Sequence, residues 1–241
     1  MNAPESPRPR RSPMAAFYLL VAVILAGGGA LLAWQLRLGA ERVGQAVDLG
    51  LAPEALNRVP GISDGRPDAP VVLREFSDFQ CPACAMYAQA ITPRLRERFL
   101  RDGTLRYVHY DFPLPSLHPN AHRAAVAGRC ANEQGRFWPY HDILYREQRR
   151  WGVEADPSTL FVRYAGQAGA DGAALRACLT SGRHDEEIRR SKRFGEELGV
   201  TATPTLVLNG RRLPESISVT QLERMIKDEA RGARSGGPAP R

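Results

Sequence analysis

The sequence predicts an α/β fold: a sheet of few, short strands, interrupted by a helical block of about 80 residues and preceded by one N-terminal transmembrane helix. Three observations predict it. Val71, Val72 and Leu73, continued by Phe76 and Phe79, form an apolar β-leaning run that meets Cys81-Pro82-Ala83-Cys84 at a strand-to-helix junction. From Asn120 to about Gly199 the chain is helical with punctuation. The pattern then returns to β: Thr205 to Leu208 reads as a strand, Asn209-Gly210 as a hairpin turn and Arg211 to Leu213 as the return strand.

The chain in order supports each element. Residues 1–13 are rich in Pro and Arg and read as a disordered cytoplasmic tail. Met14 to Leu36 contains no charge, and its 23 residues at about 1.5 Å each would cross a hydrocarbon core of about 30 Å. Arg8, Arg10 and Arg11 precede it, which places the N-terminus in the cytoplasm and the rest outside. Trp34 stands where an interfacial aromatic belongs. A cleaved signal peptide is the rival reading, with Gly28 to Ala30 as small residues, but the apolar stretch is longer than a signal core of about 7–15 residues. Residues 37–67, with Pro53, Pro60, Gly61, Gly65 and Pro67, read as a linker.

The globular domain is expected over 68–230. Asp102-Gly103 signals a turn, and Leu105 to Tyr110 alternates as a second strand. Three prolines in 111–119 break it. The helical insertion, about 113–199, is punctuated by Asp156-Pro157, by Asp171 as an N-cap and by Gly199 after the last helix. Ser218 with Gln221 forms a capping box for a final helix to about Ala230, and residues 231–241 read as a disordered tail.

Charge excludes one class of function. The net charge is +7, of which residues 1–13 carry +2 and residues 231–241 carry +3. A nucleic-acid groove needs a basic face on the folded domain, so no nucleic-acid partner is expected. No cofactor is expected either.

Cys81 and Cys84 carry the chemistry. At a helix N-terminus the Cys81 sulfur would face unpaired backbone N–H groups and the positive end of the helix dipole, which lowers a thiol pKa. Pro82 suits the first helical turn. Cys84, one turn on, would resolve a mixed disulfide by intramolecular attack. A structural zinc site would need a second Cys-x-x-Cys, and the sequence has none, so no metal is expected. His118 and His122 have an i, i+4 spacing that can bind metal, but Pro119 intervenes, and they read as solvated histidines at a helix start.

Three features together resemble a known family: Cys81-Pro82-Ala83-Cys84 after a strand, Thr203-Pro204-Thr205 before a later strand, and the hairpin-helix ending. They resemble the thioredoxin fold, and the long helical insertion is similar to that of the DsbA family. Phe76-Ser77-Asp78-Phe79 and Gln134-Gly135-Arg136-Phe137-Trp138 resemble that family too. The fold implied is a thioredoxin fold with a helical insertion. The resemblance implies Cys81 as nucleophile, Cys84 as resolving cysteine and Pro204 as a cis-proline facing the dithiol. It leaves the backbone of Thr203 to pair with an extended substrate. From the sequence alone Pro204 reads equally as an ordinary trans proline.

Glu75 matches a position that in this family commonly holds a buried carboxylate able to exchange a proton with Cys84; a solvated edge residue is the other reading. Asp78 reads as a loop or surface acid. Cys130 and Cys178 are expected to form a structural disulfide, as in some DsbA-like proteins, with two buried thiols as the alternative.

The function expected is a membrane-anchored, extracytoplasmic (periplasmic or cell-surface) thiol-disulfide oxidoreductase. It would be a monomer that introduces disulfides into exported cysteine-containing proteins and is restored by a membrane reoxidase. Pro82-Ala83 lacks the histidine that strongly oxidising members carry, which keeps reductase or isomerase work open. A non-catalytic anchored adaptor would instead show an unreactive Cys81.

Overall fold

The computed structural model describes residues 13–43 and 45–235. The expected tail 1–13 lies outside the described residues except for Pro13, as does 236–241. The chain divides after Gln45 into two compact units. The first holds one helix, α1 (Pro13–Val43), which takes in the charge-free stretch. Most of its described apolar side chains, among them Phe17, Leu20, Ile24 and Leu25, are exposed. Among the described residues no helix is long and apolar enough to cross a membrane, so the expected span over 14–36 rests on the sequence.

The second unit opens earlier than expected. Within the stretch read as a linker lie β1 (Val47–Asp48), α2 (Pro53–Leu56) and β2 (Ile62–Asp64). These strands have two and three residues, too few for a period to show. They are held by pairing: Val47 opposite Arg212, and Ile62 opposite His109.

The expected β-helix junction follows as β3 (Val71–Ser77), α3 (Pro82–Ala90), α4 (Thr92–Leu95) and a π-helical turn, Arg96–Leu100, which lead into β4 (Leu105–Asp111). The insertion contains α5 (Ala121–Glu133), α6 (Phe137–Arg146), α7 (Gln148–Trp151), α8 (Ser158–Gln167), α9 (Gly172–Ser181) and α10 (Asp185–Glu197). The chain closes with β5 (Thr205–Leu208), β6 (Arg211–Arg212) and α11 (Val219–Ser235). Asp171 caps α9 by accepting from the Ala173 and Ala174 N–H groups, and the Ser218–Gln221 box forms as expected. The last helix corrects the expected boundary at Ala230. It continues through Gly232 to Ser235, with Ile226 and Ala230 buried on its inner face.

Among the described residues the sheet runs β1-β6-β5-β3-β4-β2. β3 is central, parallel to β4 and antiparallel to β5. Alternation therefore decides which residues meet which helices. Val71 and Leu73 pack with Tyr87, Phe99, Leu222 and Ile226, on the side of α3 and α11. Phe76 packs on the other face with Phe112, Phe194 and Leu198, on the side of α10. Gly195 makes that contact close: a Cβ there would lie 2.7 Å from the Phe112 ring. By the same alternation Glu75 and Ser77 fall on the α3 face, beneath the cysteines.

Candidate active site

Cys81 is the N-cap of α3, in an extended conformation, with Pro82 in the first turn. The local sequence accounts for this. Proline suits a helix start but not the interior, so the helix cannot extend back through the motif. Both Cys81 and Cys84 are free thiols, and both are buried. The peptide bond between Thr203 and Pro204 is cis, and the loop it belongs to lies against the dithiol. As a thiol, Cys81 donates to the Thr203 carbonyl oxygen at 3.3 Å. Beside this contact runs a groove of about 340 Å³, lined in part by Ala83, Met86, Pro204, Leu206 and Ile217.

The two sulfurs have opposite environments. The Cys81 thiol is drawn down to about 5, chiefly by the hydrogen bond from the Cys84 thiol; burial opposes this, while Thr203 and the backbone N–H groups of Cys84 and Ala83 reinforce it. Burial pushes the Cys84 thiol well above its ordinary value, with the Cys81 hydrogen bond and the Glu75 charge acting the same way. One cysteine is thus poised as thiolate and the other as thiol.

Glu75 is fully buried in β3, between β4 and β5, and not a solvated edge residue. Burial pushes its carboxyl up to about 8, against the hydrogen bond it accepts from Ser77. Ser77 Oγ donates to Glu75 Oε1 at 2.8 Å and lies 2.8 Å from Tyr145 Oη. Tyr107 donates its hydroxyl to the second carboxyl oxygen of Glu75.

The helical block braces the motif from its other side. Gln148 donates to the backbone oxygens of Phe79 (2.8 Å) and Cys81 (2.9 Å). Asp78 corrects the expectation of a surface acid. It is buried, accepting from the Gln80 and Leu114 N–H groups and contacting His118 Nδ1 at 2.8 Å. The insertion closes over this loop, and an acid that would otherwise be solvated becomes its tie. His118 is consequently an Asp78 partner and largely buried, while His122 meets Asp185 at 2.9 Å. The two histidines expected to be solvated each have a carboxylate instead. Away from the dithiol, Cys130 and Cys178 form a disulfide between α5 and α9, with Cα atoms 5.8 Å apart.

Sequence reasoning brought Cys81, Cys84, Thr203, Pro204 and Glu75 to one place, and the structure does the same. It missed Ser77, Tyr107, Tyr145 and Gln148. Only Ser77 carried a signal, as a small polar residue two positions beyond Glu75 on the same strand face.

A thioredoxin family model matches residues 58–228. The chain belongs to the thioredoxin family. Among solved structures, oxidised BdbD from Bacillus subtilis superposes with a TM-score of 0.68 at 20% identity, covering 78% of this chain and 100% of that one. A thioredoxin-like oxidoreductase from Silicibacter pomeroyi gives 0.60 at 26% identity, covering 75% and 98%. A probable disulfide bond formation protein D from Bacillus anthracis is 27% identical over 61% of this chain and 68% of its own length. Similarity also extends to a Na(+)/H(+) antiporter NhaA 3 from Salinispora tropica, at 33% identity over 73% of this chain; the chain spans about a quarter of that antiporter's length, 26%. The architecture is that of the DsbA-like thiol-disulfide oxidoreductases, with the helical block inserted between β4 and β5.

Proposed function

We propose that this DsbA-like protein introduces disulfides into exported cysteine-containing proteins through Cys81 and Cys84. The carrying observation is the placement of Cys81 at the start of α3, where its thiolate accepts hydrogen bonds and Cys84 stays protonated. A stabilised thiolate is a good leaving group, and it stabilises the reduced enzyme, which makes the disulfide form an oxidant.

In the oxidised enzyme a substrate thiolate attacks Cys81 Sγ. The Cys81–Cys84 bond breaks, a substrate–Cys81 bond forms, and Cys84 leaves to be protonated. A second substrate thiolate then attacks the substrate sulfur and releases Cys81 as thiolate. The substrate loses two electrons and the enzyme gains them. The Thr203 carbonyl and the adjoining groove give an extended substrate a place to lie. A membrane reoxidase would return the pair to the disulfide.

The anchor and the compartment belong to the same proposal. Their support is the charge-free stretch 14–36 behind Arg8, Arg10 and Arg11, the exposed apolar side chains of α1, and the Cys130–Cys178 bridge, a feature of oxidising compartments. The protein acts as a monomer in this reading.

Alkylation of reduced protein against pH tests the site. Cys81 should react with a midpoint near pH 5 while Cys84 stays protected. A midpoint near the unperturbed thiol value of about 8.5 would favour the non-catalytic adaptor.

A further inference from the structure

We propose that Gln148 is a positioning residue for the redox reaction: its side-chain amide holds the Cys81 backbone where the sulfur meets the start of α3. The inference rests on the oxidoreductase reading and ties a residue of the helical block to it. Gln148 opens α7, 67 positions beyond Cys81, and is buried. Its amide nitrogen donates to the Phe79 carbonyl oxygen at 2.8 Å and to the Cys81 carbonyl oxygen at 2.9 Å. An amide NH2 group has two protons to give, and both go to this turn.

The grip falls on the residue that needs it. Cys81 has φ −72° and ψ 124°, outside the helix it caps. An N-cap residue is held by the helical ladder only through its carbonyl. The Cys81 carbonyl accepts that first helical bond from the Ala85 N–H at 3.1 Å, and it is the same oxygen that Gln148 holds. The Cys81 N–H closes the turn on the Asp78 carbonyl at 3.0 Å. Gln80, between the two gripped carbonyls, is tied to the helical block through its own side chain: it donates to the Gly152 carbonyl oxygen at 2.8 Å and accepts from the Asn120 N–H at 2.7 Å. Gln148 alone of these amide side chains bonds the backbone of Cys81.

The two redox states depend on this grip unequally. In the disulfide form the Cys81–Cys84 bond itself fixes the sulfur. In the reduced form the thiolate relies on placement, because the Cys84 thiol and the N–H groups of Ala83 and Cys84 must point at it. Gln148 therefore stabilises the reduced form over the disulfide and makes the disulfide a stronger oxidant. The titratable groups that face Cys81 are Cys84 on α3 and Glu75 on β3. Gln148 carries no charge, and its effect runs through where it holds the sulfur.

The test is the equilibrium of the full chain with glutathione at pH 7, together with alkylation of Cys81 against pH. In that equilibrium two glutathione thiols give two electrons to the Cys81–Cys84 bond; glutathione disulfide, a Cys81 thiolate, a Cys84 thiol and one released proton are formed. Gln148→Met keeps the length of the side chain and removes both donors. It should make the pair about tenfold harder to reduce, a fall of about 30 mV in potential, and raise the alkylation midpoint of Cys81 by about one pH unit. Gln148→Glu, which when protonated donates once, should shift both in the same direction by about threefold and serves if the Met variant does not fold. A folded variant whose potential and midpoint stay within about twofold of wild type, even with a lowered melting temperature, would make Gln148 a structural brace and overturn the inference while the oxidoreductase reading stands. A wild-type midpoint near the unperturbed thiol value of about 8.5 would overturn both.

Discussion

The two cysteine pairs of this chain are both buried, yet their surroundings differ in kind. Cys130 and Cys178 are closed into a disulfide among the apolar side chains of α5, α6, α8 and α9. Cys81 and Cys84 lie where a helix start, a carbonyl oxygen and a buried carboxyl converge. Burial alone therefore does not decide what a thiol does. Backbone N–H groups directed at one sulfur and a buried carboxyl beneath the other set this pair apart from the closed one.

The largest expected effect breaks the comparison at the reactive pair. Cys81→Ser should abolish disulfide transfer to a reduced protein substrate while the fold, followed by circular dichroism, is retained; residual turnover would mean that Cys84 is the attacked sulfur. At the structural pair the order reverses. The double variant Cys130→Ala/Cys178→Ala should lose about 4 kcal/mol of stability in denaturant melts, the chain-entropy value for a 48-residue separation, and keep its turnover where folded. Loss of turnover in the folded variant would make the second pair a participant.

The smallest effect concerns Glu75. Its folded pKa of about 8 lies above the unfolded value of about 4.5, so the folded state keeps a proton that the unfolded chain gives up as pH rises between them. Stability from this site is full below about pH 4.5 and falls as pH rises through 8. Glu75→Gln should therefore raise the melting temperature at pH 9 and leave it nearly unchanged at pH 4. An equal change at both values would show that Glu75 does not hold a proton in the folded state.

What was legible in the sequence follows from how far each signal reaches along the chain. The β3–α3 junction shows because seven strand residues and a first-turn proline state it locally. The caps at Asp171 and Ser218 are similarly local. β1 and β2 do not show, because their order comes from partners far along the chain, β6 and β4. Asp78 was hidden for a related reason. It is buried by residues of the helical block, and its partners Leu114 and His118 are 36 and 40 positions away. Glu75 was legible through the family it resembles, since a lone glutamate in a strand says nothing of the cysteine above it.

The most direct test of the account is the reduction potential of the Cys81–Cys84 pair, measured in a glutathione redox buffer on the full chain. A thiolate stabilised at Cys81 predicts a value well above that of thioredoxin, between about −270 and −120 mV. A value at or below about −270 mV would contradict it and make the protein a reductase.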